Sequence, residues 1–177
     1  MNAIFLDFDG IINTSHAHSD EDRERRIKLL GEICTELDCK VVIEASIKDL
    51  IDEETLETDS KYVASILKCF KKYNIECIGR TPNIGKQINS VSYISMWKED
   101  EILAYLEAHP EIEHYCVLDD DDAPFVIGMS DLDKVRDHLV TPIFYSKDPS
   151  EEGLLEKHKE EIRKVLELEN TKKTRLH

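Results

Sequence analysis

Two aspartates separated by one phenylalanine, Asp7 and Asp9 in the run IFLDFDG, stand at the end of an apolar stretch and just before Gly10. A carboxylate at the end of a buried strand is costly to keep charged without a partner. Magnesium is a natural partner, because it takes hard oxygen ligands and leaves room for substrate phosphate. A carboxylate can also attack phosphorus and form an acyl-phosphate, which divides hydrolysis into two easier steps. Asp9, carried past the strand at the glycine turn, can serve as general acid and then as general base. The plainer alternative for D-x-D-G is an acidic turn closing an ordinary strand.

A second cluster, Asp119 to Asp122, follows the apolar run HYCVL. Four like charges at a strand end repel one another, and a cation relieves that cost. Asp119 and Asp120 are the candidate metal acids; Asp121 and Asp122 fit a solvated or outer position. An acidic surface loop is the competing explanation. Lys98 precedes the helix that leads into this strand, where its charge could neutralise Asp7 and a phosphate oxygen together. A solvated surface lysine is the alternative.

The segment from Gly79 to Trp97 carries Arg80, Asn83, Lys86 and Tyr93. Arg80 directly follows an apolar run and could grip a phosphate with two N–H groups. Lys86 fits a solvated loop charge better. His16 and His18 lie in the loop after the first motif, within possible reach of substrate. H-x-H without further ligands is a weak zinc signature.

These residues need elements to bring them together. Ala3–Phe8 reads as a buried strand, too short for a helix. Ser19 or Asp20 can cap a helix running to Leu37, with Ile27, Leu30, Ile33, Cys34 and Leu37 on one face. Lys40–Ala45 is a second strand, Ser60–Tyr73 a helix, and Ile75–Ile78 a third strand. Glu99–His109 is a helix stopped by Pro110; His114–Leu118 is a fourth strand and Leu139–Phe144 a fifth. A last amphipathic helix covers Ser150–Leu168, followed by a polar tail over 169–177. Residues 1–168 thus read as one domain. Strands alternating with helices predict a parallel sheet covered on both faces. Ligands bind such sheets beyond the carboxyl ends of the strands, where Asp7, Ser46 and Asp119 all fall.

The 177 residues suit one domain, and 41% hydrophobic with 34% charged residues fits a globular rather than a disordered chain. The formal charge of −15 argues against strong non-specific nucleic-acid binding, while allowing a local basic pocket for one phosphate. Five cysteines, odd in number and without a C-x-x-C pair, suggest reduced thiols near the core and a reducing compartment. No signal peptide or membrane span is visible, so a cytoplasmic location and no membrane partner are expected.

Taken in order, IFLDFDG, VVIEAS, Lys98 and VLDDDD resemble the haloacid dehalogenase (HAD) superfamily. More narrowly, GRTPNI and KEDEILAYLEAHPEIEHYCVLDDDD resemble the small HAD domain of the Swiss Army knife RNA-repair proteins, over about Asn2 to Leu166. The resemblance implies a Rossmannoid three-layer α/β/α fold with a parallel sheet of about five strands and no large cap. It implies Asp7 as nucleophile, Asp9 as general acid and base, and Lys98 as the charge-balancing lysine. Magnesium would lie on Asp7, the Asp9 carbonyl and Asp119 or Asp120. The substrate would be a phosphomonoester, a small molecule or a nucleic-acid end, approached through an open site; Ser46 and Gly10, and Arg80 from its own position, are the candidate contacts.

One motif departs. The family keeps a serine or threonine at the end of the second strand, and in VVIEAS Glu44 falls at that place. Ser46, two residues on, serves only if the strand ends later. A glutamate facing the phosphoryl group would repel it, leaving a weak or inactive magnesium-binding module as the second reading. A response-regulator receiver domain also places acids and a lysine on a parallel sheet. It needs an aspartate at the end of the third strand, where this chain has IGR.

Overall fold

A computed structural model describes residues 1–16, 19–84, 98–121 and 135–174, with 168–174 as backbone only. Its centre is a five-stranded, all-parallel sheet in the order β3-β2-β1-β4-β5. The strands are β1 (Asn2–Leu6), β2 (Cys39–Ile43), β3 (Cys77–Arg80), β4 (His114–Leu118) and β5 (Leu139–Val140). Between and after them lie α1 (Asp20–Leu37), α2 (Lys61–Lys72), α3 (Lys98–Ala108) and α4 (Glu156–Thr174). This is the expected three-layer Rossmannoid α/β/α arrangement, with helices packed on both faces of a parallel sheet.

The three inner strands are buried on both faces, which explains their continuous apolar runs. On one face, Ile4, Leu6, Val41, Ile43, Cys116 and Leu118 pack with Ile27 and Leu30 of α1, Val63, Ile66 and Phe70 of α2, and Ile162 and Leu166 of α4. On the other, Ala3, Phe5, Val42, Tyr115 and Val117 meet Ile102 and Tyr105 of α3. Ser19 caps α1 by accepting from the Asp22 amide, and Ser60 caps α2 by accepting from the Val63 amide.

Several boundaries differ from the periodicity, each for a local reason. β1 ends at Leu6 and β2 at Ile43, so both Asp7 and Glu44 stand one residue beyond a strand. β3 runs Cys77–Arg80, later than Ile75–Ile78. β5 stops at Val140, two residues before Pro142, which has no N–H to extend a ladder. The expected helix at Ser150 is instead a short 3-10 turn over Pro149–Glu151. Gly153, with φ +70°, breaks the chain away from helical geometry before α4 begins at Glu156 and runs past Leu168 to Thr174.

The packing of α1 against the end of α2 depends on a bare backbone at Gly31. A Cβ there would lie 2.5 Å from the Tyr73 carbonyl oxygen. Alanine is preferred over glycine in a helix interior by about 1 kcal/mol. Gly31→Ala should nevertheless lower the thermal midpoint, because the obstacle is backbone rather than a movable side chain. A melt followed by circular dichroism checks this; a raised midpoint would show that α1 and α2 can separate at no cost.

Candidate active site

Four strand ends line up because their hydrogen-bond ladder continues one residue past each strand. The Asp7 amide donates to the Leu118 carbonyl (2.9 Å), Glu44 to Leu6 (2.9 Å), Thr81 to Ile43 (3.0 Å) and Asp119 to Val140 (3.3 Å). Asp119, Asp7, Glu44 and Thr81 therefore stand side by side across β4, β1, β2 and β3. The strand order reverses between β1 and β4, with β2 and β3 running one way from β1 and β4 and β5 the other. That switch point is where open α/β sheets leave a crevice.

Lys98, the first residue of α3, reaches into this row. Its Nζ lies 2.5 Å from Asp119 Oδ2, 3.0 Å from Asp7 Oδ2 and 3.5 Å from Glu44 Oε2. Burial alone would lower the ammonium's pKa, but the carboxylates of Glu44, Asp7 and Asp119 outweigh it and hold the group well above its usual value. Burial pushes the Asp119 carboxyl up to about 6; Lys98 opposes this and Asp7 adds to it. Asp120 is also raised, by burial and then by Asp7.

Asp7, Asp119 and Asp120 each offer a carboxylate oxygen, and these oxygens lie within 4.8 Å of one another. Gly10 makes room for the third. Its φ is +79°, and a Cβ there would stand 2.1 Å from the Asp120 Cβ. Three crowded acids, two of them displaced upward in pKa, form a donor set that suits a hard divalent cation. Asp121 is exposed, and its amide donates to Asp119 Oδ1 at 3.0 Å.

Behind the row lies a second, buried network. Lys48 sits between Thr81 Oγ1 (2.9 Å), the Glu101 carboxylate and Glu44 Oε1 (3.7 Å). Glu101 also accepts from the Ile84 amide at 3.0 Å. Glu44 is 2% exposed, and neither of its carboxylate oxygens has a hydrogen-bond partner among the described residues. It is flanked instead by two ammonium groups at longer range. Burial pushes its carboxyl up to about 8, with Lys98 and Lys48 pulling down and Asp7 and Asp119 pushing further.

The other residues singled out from sequence fall in different places. Ser46 opens a 3-10 turn (Ser46–Leu50) and is exposed. Arg80 is occupied: it donates to the carbonyls of Ile51 (2.9 Å) and Thr81 (3.2 Å) and to Glu53 (3.1 Å), fastening the segment after that turn. The Gly10 amide donates to the Asn13 carbonyl at 2.7 Å. Asp9 is exposed, with Oδ1 accepting from Asn13. His16 is paired with the buried carboxylate of Glu152 at 2.6 Å. Asn83 donates to Asp49 at 2.7 Å. His18, Lys86, Tyr93 and Asp122 lie outside the described residues.

Residues 3–145 match the family model described as the HAD domain in Swiss Army Knife RNA repair proteins. The chain belongs to this family. Among curated proteins and among solved structures, nothing matches it. In this chain Asp7 and Asp119 stand just past β1 and β4, and Lys98 opens α3. At the end of β2, however, the residue in the row is Glu44, and Ser46 has already passed into the turn. Sequence reasoning missed Lys48, Thr81, Glu101 and Asn13. The i,i+4 spacing of Glu44 and Lys48 was the one available signal for the buried network.

An acid raised in the folded state binds its proton more tightly there than in the unfolded chain. The stability this gives is complete below about pH 4.5, the ordinary value, and is lost as pH rises through about 8. Glu44→Gln has no proton to lose. In magnesium-free buffer its unfolding free energy should gain on wild type by on the order of a few kcal/mol between pH 5 and pH 9. Urea unfolding across that range measures it; a difference independent of pH would mean that Glu44 is as acidic folded as unfolded.

Proposed function

We propose that this HAD domain is a magnesium-dependent phosphomonoester hydrolase working through an aspartyl-phosphate on Asp7. The observation that carries the reading is the Lys98 ammonium held between Asp7 and Asp119, with Asp120 alongside. Asp7, Asp119 and Asp120, with the Asp9 carbonyl, would hold magnesium, whose chemistry is to neutralise phosphoryl oxygens and orient the ester.

Asp7 is fixed for attack from both sides. Its Oδ1 accepts from the Phe8 amide at 2.7 Å and its Oδ2 from Lys98. A carboxylate oxygen of Asp7 bonds to phosphorus while the bond from phosphorus to the ester oxygen breaks. Asp9 gives its proton to that departing oxygen, releasing the alcohol. A water then loses a proton to Asp9 and attacks phosphorus, breaking the bond to Asp7 and freeing inorganic phosphate. Lys98 balances charge throughout.

The substrate is a phosphate ester presented at an open site, on a small molecule or at a nucleic-acid end. The chain's charge of −15 restricts any nucleic-acid contact to the immediate neighbourhood of the phosphate. No described helix is long and apolar enough to cross a membrane. The five cysteines are all free thiols, which fits a reducing, cytoplasmic setting. Glu44 favours a second reading, a weakly active or inactive magnesium-binding module, because a buried acid takes the place of the phosphate-binding hydroxyl.

Phosphate release from an aryl phosphate and from 3′- and 5′-phosphorylated oligonucleotides, with magnesium or with chelator, separates the two. Asp7→Asn should fall to the background rate, and Asp9→Asn should lose about 10²–10⁴-fold in kcat. Lys98→Met should lose about 10²–10³-fold. Wild type no faster than Asp7→Asn on every ester would overturn the hydrolase reading and leave the binding module.

A further inference from the structure

Beside the acid row, Asp9, Asn13 and Tyr62 form an exposed polar chain. The Asn13 side-chain amide donates one hydrogen to Asp9 Oδ1 (3.1 Å) and the other to the Tyr62 hydroxyl oxygen (2.8 Å). An amide NH₂ has two hydrogens and no lone pair to offer, so both directions are fixed. Asn13 is itself held firmly: its amide donates to the Phe8 carbonyl (2.9 Å), its carbonyl accepts from Gly10 (2.7 Å), and Ile11 and Ile12 between them are fully buried.

Two groups are left open by this arrangement. Asp9 Oδ2 has no partner among the described residues, so it is the oxygen available to an ester. Tyr62 accepts from Asn13, and no acceptor among the described residues takes its own hydroxyl hydrogen. Tyr62 is 39% exposed at the start of α2, with the Arg23 guanidinium 5.6 Å from its ring centroid. A hydroxyl donor stands two hydrogen bonds from Asp9, the residue assigned above to protonate the departing alcohol.

We propose that Asn13 and Tyr62 form a leaving-group subsite, in which Asn13 holds Asp9 with Oδ2 toward the ester oxygen and the Tyr62 hydroxyl donates to a neighbouring oxygen of the alcohol. The preferred substrate is then a phosphomonoester of a polyhydroxylated, sugar-type alcohol. This rests on the hydrolase reading above. Asn13 is a positioning residue that acts through Asp9; Tyr62 is a specificity residue.

The test uses full-length protein with magnesium and three esters: 4-nitrophenyl phosphate, propyl phosphate and ribose 5-phosphate. Aryl oxide leaves with little help from an acid, whereas an alkoxide needs its proton. Asn13→Ala should therefore lower the ratio of kcat on propyl phosphate to kcat on the aryl ester by about tenfold or more. Tyr62→Phe should raise KM for ribose 5-phosphate relative to propyl phosphate by about five- to tenfold, the worth of one hydrogen bond. Asn13→Ser, which retains one short donor, should recover part of the ratio and guards against a folding defect in the alanine variant. If wild type hydrolyses the esters but Asn13→Ala slows aryl and alkyl alike, or Tyr62→Phe leaves the KM ratio unchanged, the subsite is overturned and the hydrolase reading stands. If wild type hydrolyses none of the esters, the hydrolase reading falls, and the subsite with it.

Discussion

The ion cluster around Lys98 is the interaction on which the site depends. One ammonium group answers Asp7, Asp119 and, at longer range, Glu44. Without it, strand ends carrying three acids at neighbouring positions would face one another in a poorly solvated row. Like charges at such spacing, at low effective dielectric, are expensive. The sheet register brings the acids together, and α3 begins with the residue that makes their assembly tolerable. A site with this much stored repulsion suits a cation, because binding relieves an existing cost.

Glu44 shows the same balance from the other side. Its carboxyl is almost wholly removed from water yet has no hydrogen-bond partner among the described residues. Lys48 and Lys98 flank it at 3.7 and 3.5 Å, near enough to attract but not to bond well. The glutamate stands between Lys98 and Lys48 and so links the acid row to a second network of Lys48, Thr81 and Glu101.

Much of this was legible in the residues, and the parts that were not share a cause. Alternating apolar runs and helical faces marked β1, α1, α2, α3 and β4 within a residue or two, because buried parallel strands and capped amphipathic helices leave strong local signals. The acids after β1 and β4 were visible because charge beside an apolar run is conspicuous, and Lys98 by its place ahead of the helix that leads into β4. Arg80 has the right charge and lies one residue from the row, yet three carbonyl and carboxylate partners in the 51–53 and 81 segments claim it. Asn13 carries no charge and fits no spacing rule; its role follows from a turn that folds back on Asp9. Local pattern names the element, while the partner of an individual side chain depends on contacts between distant segments.

The strand order has a kinetic consequence. β1 can pair with β2 after closing a loop of a few dozen residues, but its other neighbour is β4, so that Asn2 must find His114 and Leu6 must find Leu118. Closing the longer loop costs more entropy and comes later, as it does in folds rich in non-local pairing. Asp7 and Asp119 flank that late junction. Half of the sheet can form while the ion cluster does not yet exist, and a cation that needs both acids will recognise the completed domain and none of its partly folded precursors.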